Sequence, residues 1–218
     1  MSNQKLKQIA LFLILSLGLI LIALAILVRY HNVLGTDVFL SRDLQSGGND
    51  PVRKTLIYDL LYGVSLFGKP VIAAIMVGLI SLLFWAYKYY RETIYILLTP
   101  VASLVNSAVK IIVGRPRPPA NLVDVLAIET DKSFPSGHVN FYTVFFGLLF
   151  VLLFFTPKIP KFARYSLQMI SIFLMTSVSF SRVYLGVHWA TDTVGGYLLG
   201  SVILCFFLYF YLKQKVND

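Results

Sequence analysis

Residues 9–28 read IALFLILSLGLILIALAILV, twenty positions without a charge. A bilayer core of about 30 Å needs ~20 helical residues, so this run is long enough to span one. Lys5 and Lys7 precede it and ALA occurs at 23–25, as in a cleaved leader. Its length exceeds the ~7–15 apolar residues of a leader core, and it reads as a retained anchor. Further uncharged apolar runs occupy 70–87, 93–109, 139–155, 165–180 and 193–212. The middle runs are short and need flanking residues or burial inside a bundle. The expected fold class is all-α: a polytopic membrane protein of six transmembrane helices, one domain over 1–218.

Composition agrees. Of 218 residues, 57% are hydrophobic and 13% charged, against about 45–50% and 25% in a soluble domain. The net charge of +9 fits cytoplasmic loop bias or anionic lipid better than nucleic acid. Segments 1–8, 88–92, 156–164 and 213–218 hold nine Lys/Arg in 28 residues. The positive-inside rule puts these segments, with both termini, in the cytoplasm. Segments 110–138 and 181–192 then face outside. The single Cys205 lies in an apolar run and rules out a disulfide framework or a cysteine zinc site. Between spans one and two, 51–69 carries apolar residues at 56, 57, 60, 61, 64 and 67. That stripe predicts an amphipathic helix, either lying at the interface or packed on the bundle.

Three charged segments break the apolar pattern. KIIVGRPRP (110–118) closes the third span with Lys110, Arg115 and Arg117 on a Pro-stiffened exit. Such cations form an anion site or snorkel to the interface. FPSGH (134–138) opens the fourth span. Ser136 suits a helix N-cap, Gly137 allows close backbone approach, and a helix start is an anion pocket with His138 at its edge. SRVYLGVHWATD (181–192) holds Arg182, His188 and Asp192. If a helix begins near His188, the His and Asp share a face four residues apart. A carboxylate on one imidazole nitrogen leaves the other free to attack or bind, and Arg182 offers a planar fork for phosphate oxygens. A His–Asp pair can also be structural. What favours function is convergence: the charge count places all three segments on one side of the membrane. His31 has no such company.

Taken together, Lys-x6-Arg-Pro, PSGH and Ser-Arg-x5-His-x3-Asp resemble the three signature motifs of the type 2 phosphatidic acid phosphatase family, in order over 110–192. The resemblance implies hydrolysis of a phosphate ester or anhydride through a phosphohistidine, with no metal and no cofactor. It assigns His188 as nucleophile, Asp192 as its orienting partner and His138 as general acid. Lys110, Arg117 and Arg182 match phosphate-binding positions, with Ser136 and the Gly137 amide beside them; Arg115 is left as a possible second-phosphate contact. The implied substrates are membrane lipids, with undecaprenyl pyrophosphate ranked slightly first, then phosphatidylglycerol phosphate and phosphatidic acid. The rival class is an anion or phosphorylated-lipid transporter using the same basic pocket, but no paired repeat is evident. Within the spans, Gly196 and Gly200 form a small-xxx-small pair for close helix packing. Pro100 predicts a kink in the third span, and Asn106 and Gln168 predict interhelical hydrogen bonds.

Overall fold

The computed structural model describes residues 3–46 and 51–217. All the regular secondary structure in that range is helical: α1 (Asn3–Tyr30), α2 (Gly35–Gln45), α3 (Pro51–Leu66), α4 (Pro70–Ala86), α5 (Tyr90–Leu97), α6 (Val101–Val113), α7 (Gly137–Leu152), α8 (Lys161–Tyr184) and α9 (Ala190–Asn217). A 3-10 turn, Leu153–Phe155, extends α7. Five helical stretches are long and apolar enough to cross a membrane, and six when the bent pair α3–α4 is counted as one. The all-α, multi-span expectation holds.

Two spans depart from a single straight helix, and for different reasons. Pro100 stands just ahead of α6, with α5 ending at Leu97. A proline has no N–H to give the preceding turn, so the helical bonding is interrupted at 98–100. Tyr90–Val113 still runs as one 24-residue span, with its irregularity at the proline as expected. Helix α4 is only 17 residues long and starts on Pro70. It meets α3 at 61° through a tight turn in which Gly68 N–H donates to Ser65 O at 3.1 Å. The amphipathic stripe at 56–67 lies almost wholly in α3. Ile57, Tyr58, Leu61 and Tyr62 pack on Tyr184, Leu185 and Val187, while Leu56 and Leu60 stay exposed. This helix therefore packs on the bundle by one face and leaves the other uncovered. Helix α2, a polar eleven-residue segment, is an addition that apolar periodicity does not reveal.

Helix α7 is the centre. Its Phe141, Tyr142, Phe145, Leu148, Leu149 and Leu152 are buried against Val77 and Phe84 of α4, Ile96 of α5, Val178 of α8 and Tyr211 of α9. Helix α9 packs along both α7 and α1. A Cβ on Gly196 would lie 2.8 Å from Ser136 O, and one on Gly200 2.6 Å from Thr143 Cβ. The small-residue pair thus lets α9 seat directly on α7, as expected. Gln168 Nε2 donates to Phe150 O at 3.2 Å, joining α8 to α7. Asn106 Nδ2 reaches Pro135 O at 3.5 Å, joining α6 to the segment before α7. At one end of the bundle the chain leaves α6 through Gly114, whose φ of 71° an L side chain rarely adopts. The C-termini of α6 and α8 and the N-termini of α7 and α9 meet there, and all three charged segments come with them.

Candidate active site

The centre of that end is His188, in the five-residue connection between α8 and α9, with 1% of its surface exposed. Its Nδ1 lies 3.5 Å from Asp192 Oδ2 and 3.4 Å from Ser133 Oγ. Its Nε2 lies 3.3 Å from Arg117 Nη1. The four-residue spacing works through the helix start: α9 begins at Ala190, so Asp192 is in its first turn and looks back at the ring. The carboxylate also accepts from Trp189 N–H at 2.9 Å and from the Ser133 hydroxyl. A proton on Nδ1, facing Asp192, leaves the Nε2 lone pair free. Burial, then the nearby Arg117, Arg182 and Lys110 charges, hold the His188 pKa well below its usual 6.5. The ring is neutral at pH 7.

Cations surround this ring, each already in an ion pair. Lys110 Nζ donates at 2.6 Å to both Asp131 Oδ2 and Lys132 O. Arg117 bonds the carboxylate and the carbonyl of Asp131. Arg182 Nη2 donates to Glu129 Oε1 at 2.7 Å and its Nη1 bonds Ser65 Oγ. Burial pushes the Asp131 carboxyl up, but its bonds to Lys110 and Arg117 outweigh this and bring the pKa down to about 2. Glu129 and Asp131 thus occupy the three cations around His188. Neither was legible as a site residue. The available signal was scarcity: the whole chain has ten Asp/Glu, and two stand just before FPSGH.

Of the expected residues, Lys110, Arg117, Gly137, His138 and His188 line a single cavity of about 610 Å³. Glu129 and Asp131 line it as well. Away from these charges its walls are mainly apolar, with Ala73, Ala74 and Val77 of α4 and Val101 and Leu104 of α6, interrupted on α6 by Ser103, Asn106 and Ser107. His138 Nε2 has no hydrogen-bond partner among the described residues, and the ring lies so close to Gly68 that a Cβ there would come within 2.2 Å of it. Arg182 and Asp192 are buried behind the cavity. Ser136 does occupy the N-cap position of α7, yet its side chain makes no capping bond. Its N–H instead donates to Asp192 O at 3.0 Å. Arg115 differs most from expectation. It is fully buried, and its guanidinium is spent on Asn32 O, Thr191, Asp192 and Asp37. It lies outside the cavity lining, where a second phosphate would have to meet it.

A buried imidazole with a carboxylate on one nitrogen and cations beside the other, at the end of a cavity in a helical membrane bundle, is an arrangement suited to holding a phosphate group. The chain belongs to the PAP2 superfamily, whose family description matches residues 91–215. It is 30% identical over 172 residues to phosphatidylglycerophosphatase B of Bacillus subtilis (strain 168), covering 76% of this chain and 80% of that protein. It is also 40% identical over 74 residues to an undecaprenyl-diphosphatase of Sulfolobus acidocaldarius, a match covering 34% of this chain and 31% of that one. The crystal structure of a transmembrane PAP2-type phosphatidylglycerolphosphate phosphatase from Bacillus subtilis superposes with a TM-score of 0.77 over 93% of this chain and 96% of that one, at 24% identity. Aquifex aeolicus LpxE superposes with a TM-score of 0.59 over 82% of this chain and 96% of that one, at 18% identity.

Proposed function

We propose that this lipid phosphatase removes the terminal phosphate of a membrane phospholipid, phosphatidylglycerol phosphate ahead of undecaprenyl pyrophosphate, through a phosphohistidine on His188. The observation that carries the reading is His188 itself: Nδ1 faces a buried carboxylate while Nε2 faces the cationic cavity. In the first step Nε2 bonds to phosphorus and the P–O bond to the lipid breaks, with His138 giving its proton to the leaving oxygen. In the second, His138 takes a proton from water as the water oxygen bonds to phosphorus. The N–P bond then breaks, inorganic phosphate leaves and Nε2 regains its lone pair. Charge spread over the equatorial oxygens is met by Lys110, Arg117 and Arg182, with the Gly137 amide at the start of α7. Before that, the phosphate takes over the cations from Glu129 and Asp131.

The lipid order rests on two supports. The relative that matches most of the chain is named for phosphatidylglycerophosphate. In addition, Arg115 is unavailable to the second phosphate of a pyrophosphate. The apolar walls between α4 and α6, with Leu104 exposed on the outer surface of the bundle, suit acyl chains that remain in the bilayer while the headgroup turns inward. Lys/Arg density favours an outward-facing site. The test is phosphate release by detergent-purified protein in EDTA from phosphatidylglycerol phosphate, undecaprenyl pyrophosphate and phosphatidic acid, with His188→Ala beside it. Release in EDTA that the substitution abolishes, fastest on phosphatidylglycerol phosphate, is expected. Release that needs added metal, or that survives His188→Ala, overturns the mechanism, and a faster rate on undecaprenyl pyrophosphate reverses the lipid order.

A further inference from the structure

Asp37 lies on α2, outside all three motif segments, and is completely buried. A buried carboxylate costs several kcal/mol unless it is paired and hydrogen-bonded, and this one is fully engaged. Its Oδ2 accepts from Arg115 Nη2 and from Thr191 Oγ1, both at 2.7 Å, and its Oδ1 accepts from Thr191 N–H at 2.9 Å. Thr191 is the second residue of α9. Asp37 therefore caps the helix that carries Asp192 and, through the other bond, holds one arm of Arg115. The other arm, Nη1, donates to Asp192 Oδ1 at 2.6 Å.

The division of Arg115 between two carboxylates matters because of its geometry. A guanidinium left with one carboxylate tends to take both oxygens in a parallel fork. Here Asp192 offers Arg115 only Oδ1, and Oδ2 remains for His188, Ser133 and Trp189. We infer that Asp37 is a positioning residue for the nucleophile: by occupying the second arm of Arg115 it keeps Asp192 Oδ2 on His188 Nδ1. Without that charge Arg115 closes on both Asp192 oxygens and the imidazole loses the partner that fixes its tautomer. The inference rests on the reading of His188 as nucleophile.

The test is Asp37→Asn, nearly isosteric but uncharged, followed by kcat and KM on the best lipid of the panel, in the parent and in an Asp192→Asn background. The expected result is a fall in kcat of about 10–100-fold, the range for removing a group behind a first-contact ligand, with KM changed less than about twofold. In the Asp192→Asn background the same substitution should cost nothing more, because the route to His188 is already cut. Arg115→Lys, which keeps the cation but lacks the fork, should behave alike and serves if Asp37→Asn does not fold. Parent-like kcat in a folded variant overturns the inference, as does an equal loss in both backgrounds, which marks plain structural damage. Turnover absent from the unsubstituted protein as well takes down the phosphatase reading, and this inference with it.

Discussion

At the scale of single residues, the motif side chains and their supports fall into two groups with different visibility. Lys110, Arg117, His138, His188 and Asp192 are polar residues at fixed spacing in an apolar chain, and they are legible for that reason. Replacing His138 by Ala should lower kcat by roughly 10²–10⁴-fold, the usual span for a general acid, measured as steady-state phosphate release. Because burial and then the Arg117 charge depress the His188 pKa, its neutral form persists below pH 6.5. The acid limb of kcat/KM should therefore lie below pH 6.5, activity falling as the ring takes up its proton. Removing a cation with Arg117→Met should move that limb upward, and a downward shift contradicts the electrostatic account. Asp131 stays ionised at any working pH, so it competes with phosphate throughout. Asp131→Asn should tighten inhibition by orthovanadate several-fold. Glu129, Asp131, Ser133 and Asp37 escape a sequence reading because each matters through a partner distant along the chain. Arg115, left open in the sequence as a second-phosphate contact, has its partners equally distant along the chain: its side chain turns to Asp37 of α2 and to Thr191 and Asp192 of α9.

Helices show the same contrast. The apolar runs at 9–28, 139–155, 165–180 and 193–212 fall within α1, α7 with its 3-10 turn, α8 and α9, since hydrophobic length alone sets them. The second and third spans depend on Pro70 and Pro100, which break or start helices and so decide where the cavity opens. Composition marks those prolines but gives neither the 61° corner nor the pairing of α4 with α6 across the cavity. The functional consequence is testable. Ala74→Trp should fill the apolar wall and raise KM for a long-chain lipid by about tenfold or more. It should leave the turnover of p-nitrophenyl phosphate, which has no acyl chain, within about twofold. Equal loss on both substrates would place the cavity outside the route of the lipid. On the opposite side of α7, Gly200→Leu should overpack the α7–α9 contact at a cost of about 1–3 kcal/mol, read as a lower Tm in detergent.

For the whole molecule, the arrangement gathers every motif segment at one end of a bundle while leaving the other end to Lys- and Arg-rich turns. By the positive-inside rule that division puts the site at the outer leaflet, the orientation proposed above. Orientation can be read with a membrane-impermeant maleimide on intact cells. In a Cys205→Ser background, Asn121→Cys in the exposed segment between α6 and α7 should label, and labelling only after lysis would invert the topology. The most direct measurement concerns the covalent step itself: rapid quenching of the enzyme with phosphate-labelled phosphatidylglycerol phosphate, followed by mapping of the label. An acid-labile, alkali-stable phosphate on His188, absent from His188→Ala and formed and lost at rates that account for kcat, is the expected result. Full turnover with no labelled protein at any time would contradict it and assign the displacement to water instead.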